Sequence, residues 1–238
     1  MRGYPFDTFG PKHFLYMAGV AGVLTFFLVV GKRYLNEGQR RQVAVAMAVF
    51  GLTQELVDDL VRIVHDVWTV HDSLPLHLCS LGMLMSVWAL VSRRQLIFEV
   101  AYYWGFAASS QAILTPDNTR WTMGEFDILW NFLSHGAILV NVSWLIVVEG
   151  MRCRPWSWLR VFLITNLVTV PIALFNLATG ANYFFICRKP GGNSPFLIGE
   201  WPWYILSFEV LAVSFFLIVY LPMRLARGGA GGRAEVTP

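Results

Sequence analysis

Seven apolar stretches, each near the ~20 residues that cross a hydrocarbon core, divide this chain and constrain its fold more than any other feature. They cover residues 13–30, 42–64, 74–91, 95–114, 126–148, 158–178 and 201–221. Lipid offers no partner for a free N–H or C=O, so each stretch must satisfy its backbone internally, as a helix. The expected architecture is all-α: a polytopic bundle of about seven transmembrane helices in the cell membrane. The composition agrees, with 56% hydrophobic and 14% charged residues, where a soluble domain carries about 25% charged. The first stretch is too long for a signal h-region and lacks a small-residue cleavage site, so it reads as a span. Residues 1–226 form one domain in this scheme, and the Gly-rich stretch 227–238 is expected to be a disordered cytoplasmic tail.

The net charge of +3 does not point to nucleic acid, because the excess lies in short loops and no basic stripe alternates with stacking aromatics. Lys and Arg instead set orientation. Twelve fall on one side of the seven-span arrangement: Lys32, Arg33, Arg40, Arg41, Arg93, Arg94, Arg152, Arg154, Arg160, Arg224, Arg227 and Arg233. Six fall on the other: Arg2, Lys12, Arg62, Arg120, Arg188 and Lys189. The expected topology has the N-terminus outside and the C-terminus cytoplasmic.

Polar residues inside such spans are costly and must turn inward. In the second stretch Glu55, Asp58, Asp59, Arg62 and Asp66 share one helical stripe. They form either an internal ion-pair network, with Asp58 and Arg62 four residues apart, or the wall of a wet cavity. The fourth stretch places Glu99, Tyr103 and Ser110 on one face, with Gln111 beside them, and the seventh contributes Glu209. The fifth aligns Asp127, Asn131, Ser134, His135 and Asn141, and the sixth aligns Asn166, Thr169 and Asn176, with Pro171 expected to kink it. Glu55, Asp58, His77, Asn131 and Asn176 are the expected supporting residues of a shared polar cavity.

The segment LPLHLCSLGM, residues 74–83, places His77 and Cys79 at the start of the third stretch. Cys79 lies about 7 Å below the outer boundary and His135 about 13 Å below it at helical rise. His77 does not face Cys79 within a regular helix, because residues two apart point to different sides. His135 or His71 is then the histidine within reach. Three descriptions fit Cys79: a packed thiol, a disulfide partner of Cys187 on the same oxidising side, or a nucleophile. Cys153 falls on the cytoplasmic side and is expected to be reduced.

His65, Asp66, His71, Asp72, His77 and Cys79 would also suit zinc, but their spacing matches no compact motif such as HExxH. No metal or other cofactor is called for. The long connection 179–200 carries Tyr183, Phe184 and Phe185, expected to fold over the outer mouth, and Arg188 and Lys189, read mainly as solvated charges. Trp201 and Trp203 read as interface anchors.

LPLHLCSLGM, FEVAYYWGFAASSQAILTPD, FLSHG, and NYFFICRKPGGNSP followed by GEWPWYIL occur in this order within residues 40–222. Together they resemble the YwaF-like family of bacterial integral membrane proteins. That family is distantly similar to the vertebrate seven-span acyltransferase transmembrane protein 164, which acts on ether phospholipids. The resemblance implies membrane phospholipids as partners and Cys79 as the acyl-carrying nucleophile. His135 is the chosen base, oriented by Asn131 or Asp58. Two other functions use the same residues. A small-solute or ion transporter or channel would use the buried carboxylates, and a metal-dependent lipid hydrolase would use the His and Asp cluster.

Overall fold

A computed structural model of the protein describes residues 5–117, 121–189 and 198–231. Arg2, Arg120 and Arg233 of the charge bias, residues 190–197 of the long connection and residues 232–238 of the tail lie outside the described residues. The fold is all-helical, with no strand among the described residues.

Among the described residues, seven helical bodies correspond to the seven apolar stretches. Helix α1 spans Pro11–Arg33, with proline at its start, where no intrahelical N–H bond is lost, and with Lys32 and Arg33 in its last turn, at the negative end of the macrodipole. Helix α2, Glu37–Val64, opens on a capping box. The Asn36 side chain accepts from the N–H of Gln39, whose own side chain accepts from the Asn36 N–H. Helix α3 covers Leu78–Ser92. Helix α4 is α-helical over Gln95–Trp104, widens to a π-turn over Gly105–Ser109 and returns to α over Ser110–Leu114. Helices α5, α6 and α7 span Glu125–Val147, Ser157–Thr179 and Tyr204–Gly231. A 3-10 turn, Tyr183–Phe185, lies between α6 and α7.

Among the described residues, four helices are long and apolar enough to cross a membrane: Pro11–Arg33, Glu125–Val147, Ser157–Thr179 and Tyr204–Leu225; Leu78–Ser92 is a shorter apolar helix. Large side chains such as Leu15, Phe26, Leu167, Leu177 and Val210 are exposed along α1, α6 and α7. Outward-facing side chains of this kind suit lipid rather than water. The core forms where α3 packs against α2, α4 and α5 and where α1 packs along α5. Met83, Leu90, Phe98, Tyr103 and Trp144 are fully buried there. Two glycines allow close approach between helices: a Cβ on Gly31 would stand 2.5 Å from the Trp144 ring, and one on Gly51 would stand 2.8 Å from the Met83 sulfur.

Two boundaries differ from the sequence expectation. Helix α3 starts at Leu78 rather than at residue 74, because Pro75 disfavours helix for the residue before it and His77 is the extended N-cap. Helix α7 runs to Gly231, past the end of the seventh apolar stretch at residue 221.

Candidate functional site

One cavity of about 780 Å³ collects most of the polar residues marked in the sequence. Helix α2 supplies Glu55, Asp58, Asp59 and Arg62; the start of α3 supplies His77 (its N-cap), Leu78, Cys79 and Ser80. Helix α5 adds Asn131, Ser134 and His135, and the segment after the π-turn of α4 adds Gln111 and Thr115. The far wall comes from α6, α7 and the 3-10 turn.

Cys79 is the second residue of α3, in a first turn that no side chain caps. Uncapped first-turn N–H groups and the positive end of the helix dipole therefore lie beside the thiol. Cys79 is free, and so is Cys187, which removes the disulfide expected as one alternative. Cys153 is fully buried. His77 is not within the helix at all. As N-cap, it packs its ring on Tyr183 at 4.8 Å and Phe185 at 5.4 Å between centroids.

His135 reaches the cavity from the third turn of α5. Its Nδ1–H donates to the Asn131 carbonyl one turn earlier, at 2.7 Å. That bond fixes the tautomer and leaves Nε2 with its lone pair as the acceptor nitrogen. Asn131 thus orients His135 through its backbone, not its side chain, while its Nδ2 donates to the Ala112 carbonyl on α4 at 3.0 Å. Asp58 plays no part in orienting His135 among the described hydrogen bonds, because its carboxylate is taken up by Arg62 instead.

The carboxylates divide by partner. Arg62 Nε donates to Asp58 Oδ2 at 2.9 Å and its Nη2 to Asp127 Oδ1 at 3.3 Å, the ion-pair network foreseen for α2 and extended to a second helix. Asp58 Oδ1 is buried without a hydrogen bond among the described residues. Asp127 also receives the N–H groups of Thr122 and Met123 at 2.7 and 2.6 Å, which ties down the entry to α5. Asp59 accepts from the Trp68 indole at 2.9 Å. Glu55 lines the cavity together with Cys79 and Ser80 from the first turn of α3.

Other expected members lie elsewhere. Asn176 does not line the cavity. It is 1% exposed, and its Nδ2 donates to the Tyr183 carbonyl while its Oδ1 accepts the Tyr183 N–H, at 2.9 and 3.0 Å. It is a staple for the loop after α6. Glu99 and Tyr103 point away from Gln111: Glu99 binds Arg154 and Arg160, and the Tyr103 hydroxyl meets Ser157 at 2.8 Å. Asn141 donates to Ser86 at 3.0 Å in the core.

Two of the three histidines considered for zinc bond the backbone, and the third, His77, packs on Tyr183 and Phe185. His65 Nδ1 bonds the Val61 carbonyl and His71 Nε2 bonds the Thr179 carbonyl, each at 2.9 Å. No group of three or more His, Cys, Asp or Glu placed to hold a metal ion occurs among the described residues. Arg188 donates to the Gly180 carbonyl and Lys189 reaches Glu200 at 3.4 Å.

Ser80, Thr165 and Trp130 line the cavity without having been singled out from the sequence. A signal existed for Ser80 alone, since it follows Cys79 in a first helical turn.

The TMEM164 family profile matches residues 8–220. A Treponema pallidum (strain Nichols) protein described as uncharacterized is 26% identical over 238 residues, covering 94% of this chain and 92% of its own length. No solved structure matches the chain.

Proposed function

Because the chain belongs to the TMEM164 family, we propose that this helical membrane protein is a phospholipid acyltransferase that carries the acyl group as a thioester on Cys79. In this proposal all seven helices cross the cell membrane, with the N-terminus outside and the cavity in the outer half of the bundle. One observation carries the chemistry: Cys79 opens an uncapped helix onto a cavity shared with His135, whose Nδ1 is already committed to a carbonyl.

A thiol in apolar surroundings stays protonated and inert unless a base receives its proton. His135 Nε2 takes the Cys79 proton as the sulfur attacks the ester carbonyl of a donor phospholipid. The negative charge that develops on the carbonyl oxygen is met by the first-turn N–H groups of α3. The carbon–oxygen bond then breaks, the thioester remains on Cys79, and the departing lysolipid oxygen takes the proton from Nε2. In the second half the hydroxyl of an acceptor lysolipid gives its proton to Nε2 and attacks the thioester. Cys79 leaves as thiolate and recovers that proton. No electron donor or acceptor is needed.

The test is lipid mass spectrometry of cells expressing the wild type against cells expressing Cys79→Ala at equal protein level. The expected result is a redistribution of acyl chains among phospholipids that requires Cys79. Identical profiles from the two would remove the acyltransferase assignment.

A further inference from the structure

The cavity has two unlike walls. Acidic and hydrogen-bonding groups come from α2 and α5, whereas Phe184, Phe185, Ile186, Ile205, Phe208 and Ala212 face them from the 3-10 turn and α7. Glu209 on α7 and Thr165 and Thr169 on α6 are the polar groups on that second side, and Asn166 Nδ2 donates to Glu209 at 3.2 Å.

The aromatic part of this wall is held in an unusual backbone. Phe184 and Phe185 both have positive φ, 59° and 54°, a region that bulky L-residues seldom adopt. Such conformations persist only where surrounding bonds over-determine them, and they cluster at ligand sites. Those bonds are present. Asn176 clamps Tyr183 from both sides, and the Tyr183 hydroxyl donates to the Val70 carbonyl and accepts the Leu74 N–H, at 2.9 and 3.0 Å. The Tyr204 hydroxyl holds the Phe185 carbonyl at 2.8 Å, and the Trp201 indole holds that of Ile186 at 3.1 Å. The shelf also touches the nucleophile's turn directly, because His77, the N-cap of α3, packs on Tyr183 and Phe185.

The geometry points to the Phe184–Phe185 shelf, with Phe208 of α7 on the same wall, as the subsite for the aliphatic chain of the group that reacts at Cys79. This rests on Cys79 being the reactive centre of the proposed acyl transfer. A rigid aromatic wall selects among chains by contact area, and each methylene buried against it is worth about fourfold in binding. The hydrogen-bonding wall opposite is left for the polar end of the substrate.

The test separates this subsite from the reaction itself by using alkylation. The full chain in lipid–detergent micelles is treated with iodoacetamides carrying a short, a medium or a long alkyl tail, and the labelling rate of Cys79 is read by peptide mass spectrometry. Wild type is expected to favour the longer tails. Phe184→Ala is expected to lower the long-to-short rate ratio about tenfold relative to wild type, a comparison in which probe partitioning into the micelle cancels. Phe208→Ala, on a different element, is expected to lower it in the same direction and keeps the test valid if the loop variant misfolds. A wild type without tail preference, or a ratio unchanged in the folded variants, overturns the subsite. A Cys79→Ala lipid profile identical to wild type would count against the acyltransferase while leaving this ratio to be judged separately.

Discussion

Replacing His135 by alanine is expected to slow acylation of Cys79 by about 100- to 10,000-fold, the range lost when a positioned general base is removed. The same change is expected to slow labelling of Cys79 by a lipid-like thiol-reactive probe. The cause lies in how α5 presents the ring. Nδ1 is committed to the Asn131 carbonyl at 2.7 Å, so Nε2 is the nitrogen that receives a proton, and alanine removes it without disturbing that carbonyl's helix. Helical content measured by circular dichroism should be unchanged, since His135 is only half-buried and belongs to a continuous helix. Labelling and acylation that proceed at the wild-type rate would remove His135 from the mechanism.

Glu99→Ala is expected to give the largest loss of stability of any single carboxylate change. Glu99 is fully buried, and its Oε1 accepts from the N–H and Nε of Arg154 and from Gln95, at 2.8, 2.9 and 3.0 Å. Its Oε2 accepts from Arg154 Nη2 at 3.0 Å and Arg160 Nη1 at 2.7 Å. One side chain therefore joins α4 to the segment before α6 and to the first turn of α6. Breaking a fully buried pair costs about 3–5 kcal/mol. The two arginines are 44% and 37% exposed, so water recovers part of that and a loss of about 2–3 kcal/mol is expected. At this chain length that lowers the thermal midpoint by roughly 5–10 °C, measurable by melting in detergent. Glu99→Gln should fall between the two. Because Glu99 does not line the cavity, labelling of Cys79 below the midpoint should stay at the wild-type rate. An unchanged midpoint would show that the cluster carries no net stability.

The helices were legible because apolar stretches of span length leave few other folds. The stripe on α2 was legible too, since a carboxylate four residues from an arginine on a lipid-facing surface has to turn inward. What the stripe did not disclose was the division of labour: Asp58 and Asp127 share Arg62, whereas Glu55 is left facing α3. Residue spacing gives the side of a helix a group occupies but not what waits there, which is why Asn176 and Asn131 looked alike. One closes a loop on Tyr183 and the other carries His135. The start of α3 was misplaced because apolar Leu74 and Leu76 continue the hydropathy of the span, although Pro75 marked the break. That shift matters chemically, since it moves Cys79 from inside a helix to its uncapped first turn. The π-turn at Gly105–Ser109 has no periodic signature, yet it holds or immediately precedes the residues of α4 that line the cavity, Ala108, Gln111 and Ala112. The resemblance drawn from residues 40–222 and the TMEM164 match over 8–220 meet on the segments that carry Cys79 and His135.

The thioester itself is the most direct measurement. Purified chain incubated with a phospholipid donor and no acceptor should gain the mass of one acyl group, mapped to Cys79, lost with neutral hydroxylamine and not formed in Cys79→Ala. An unmodified chain in the presence of a donor that cells demonstrably remodel, or an acyl group found on another residue, would contradict the account.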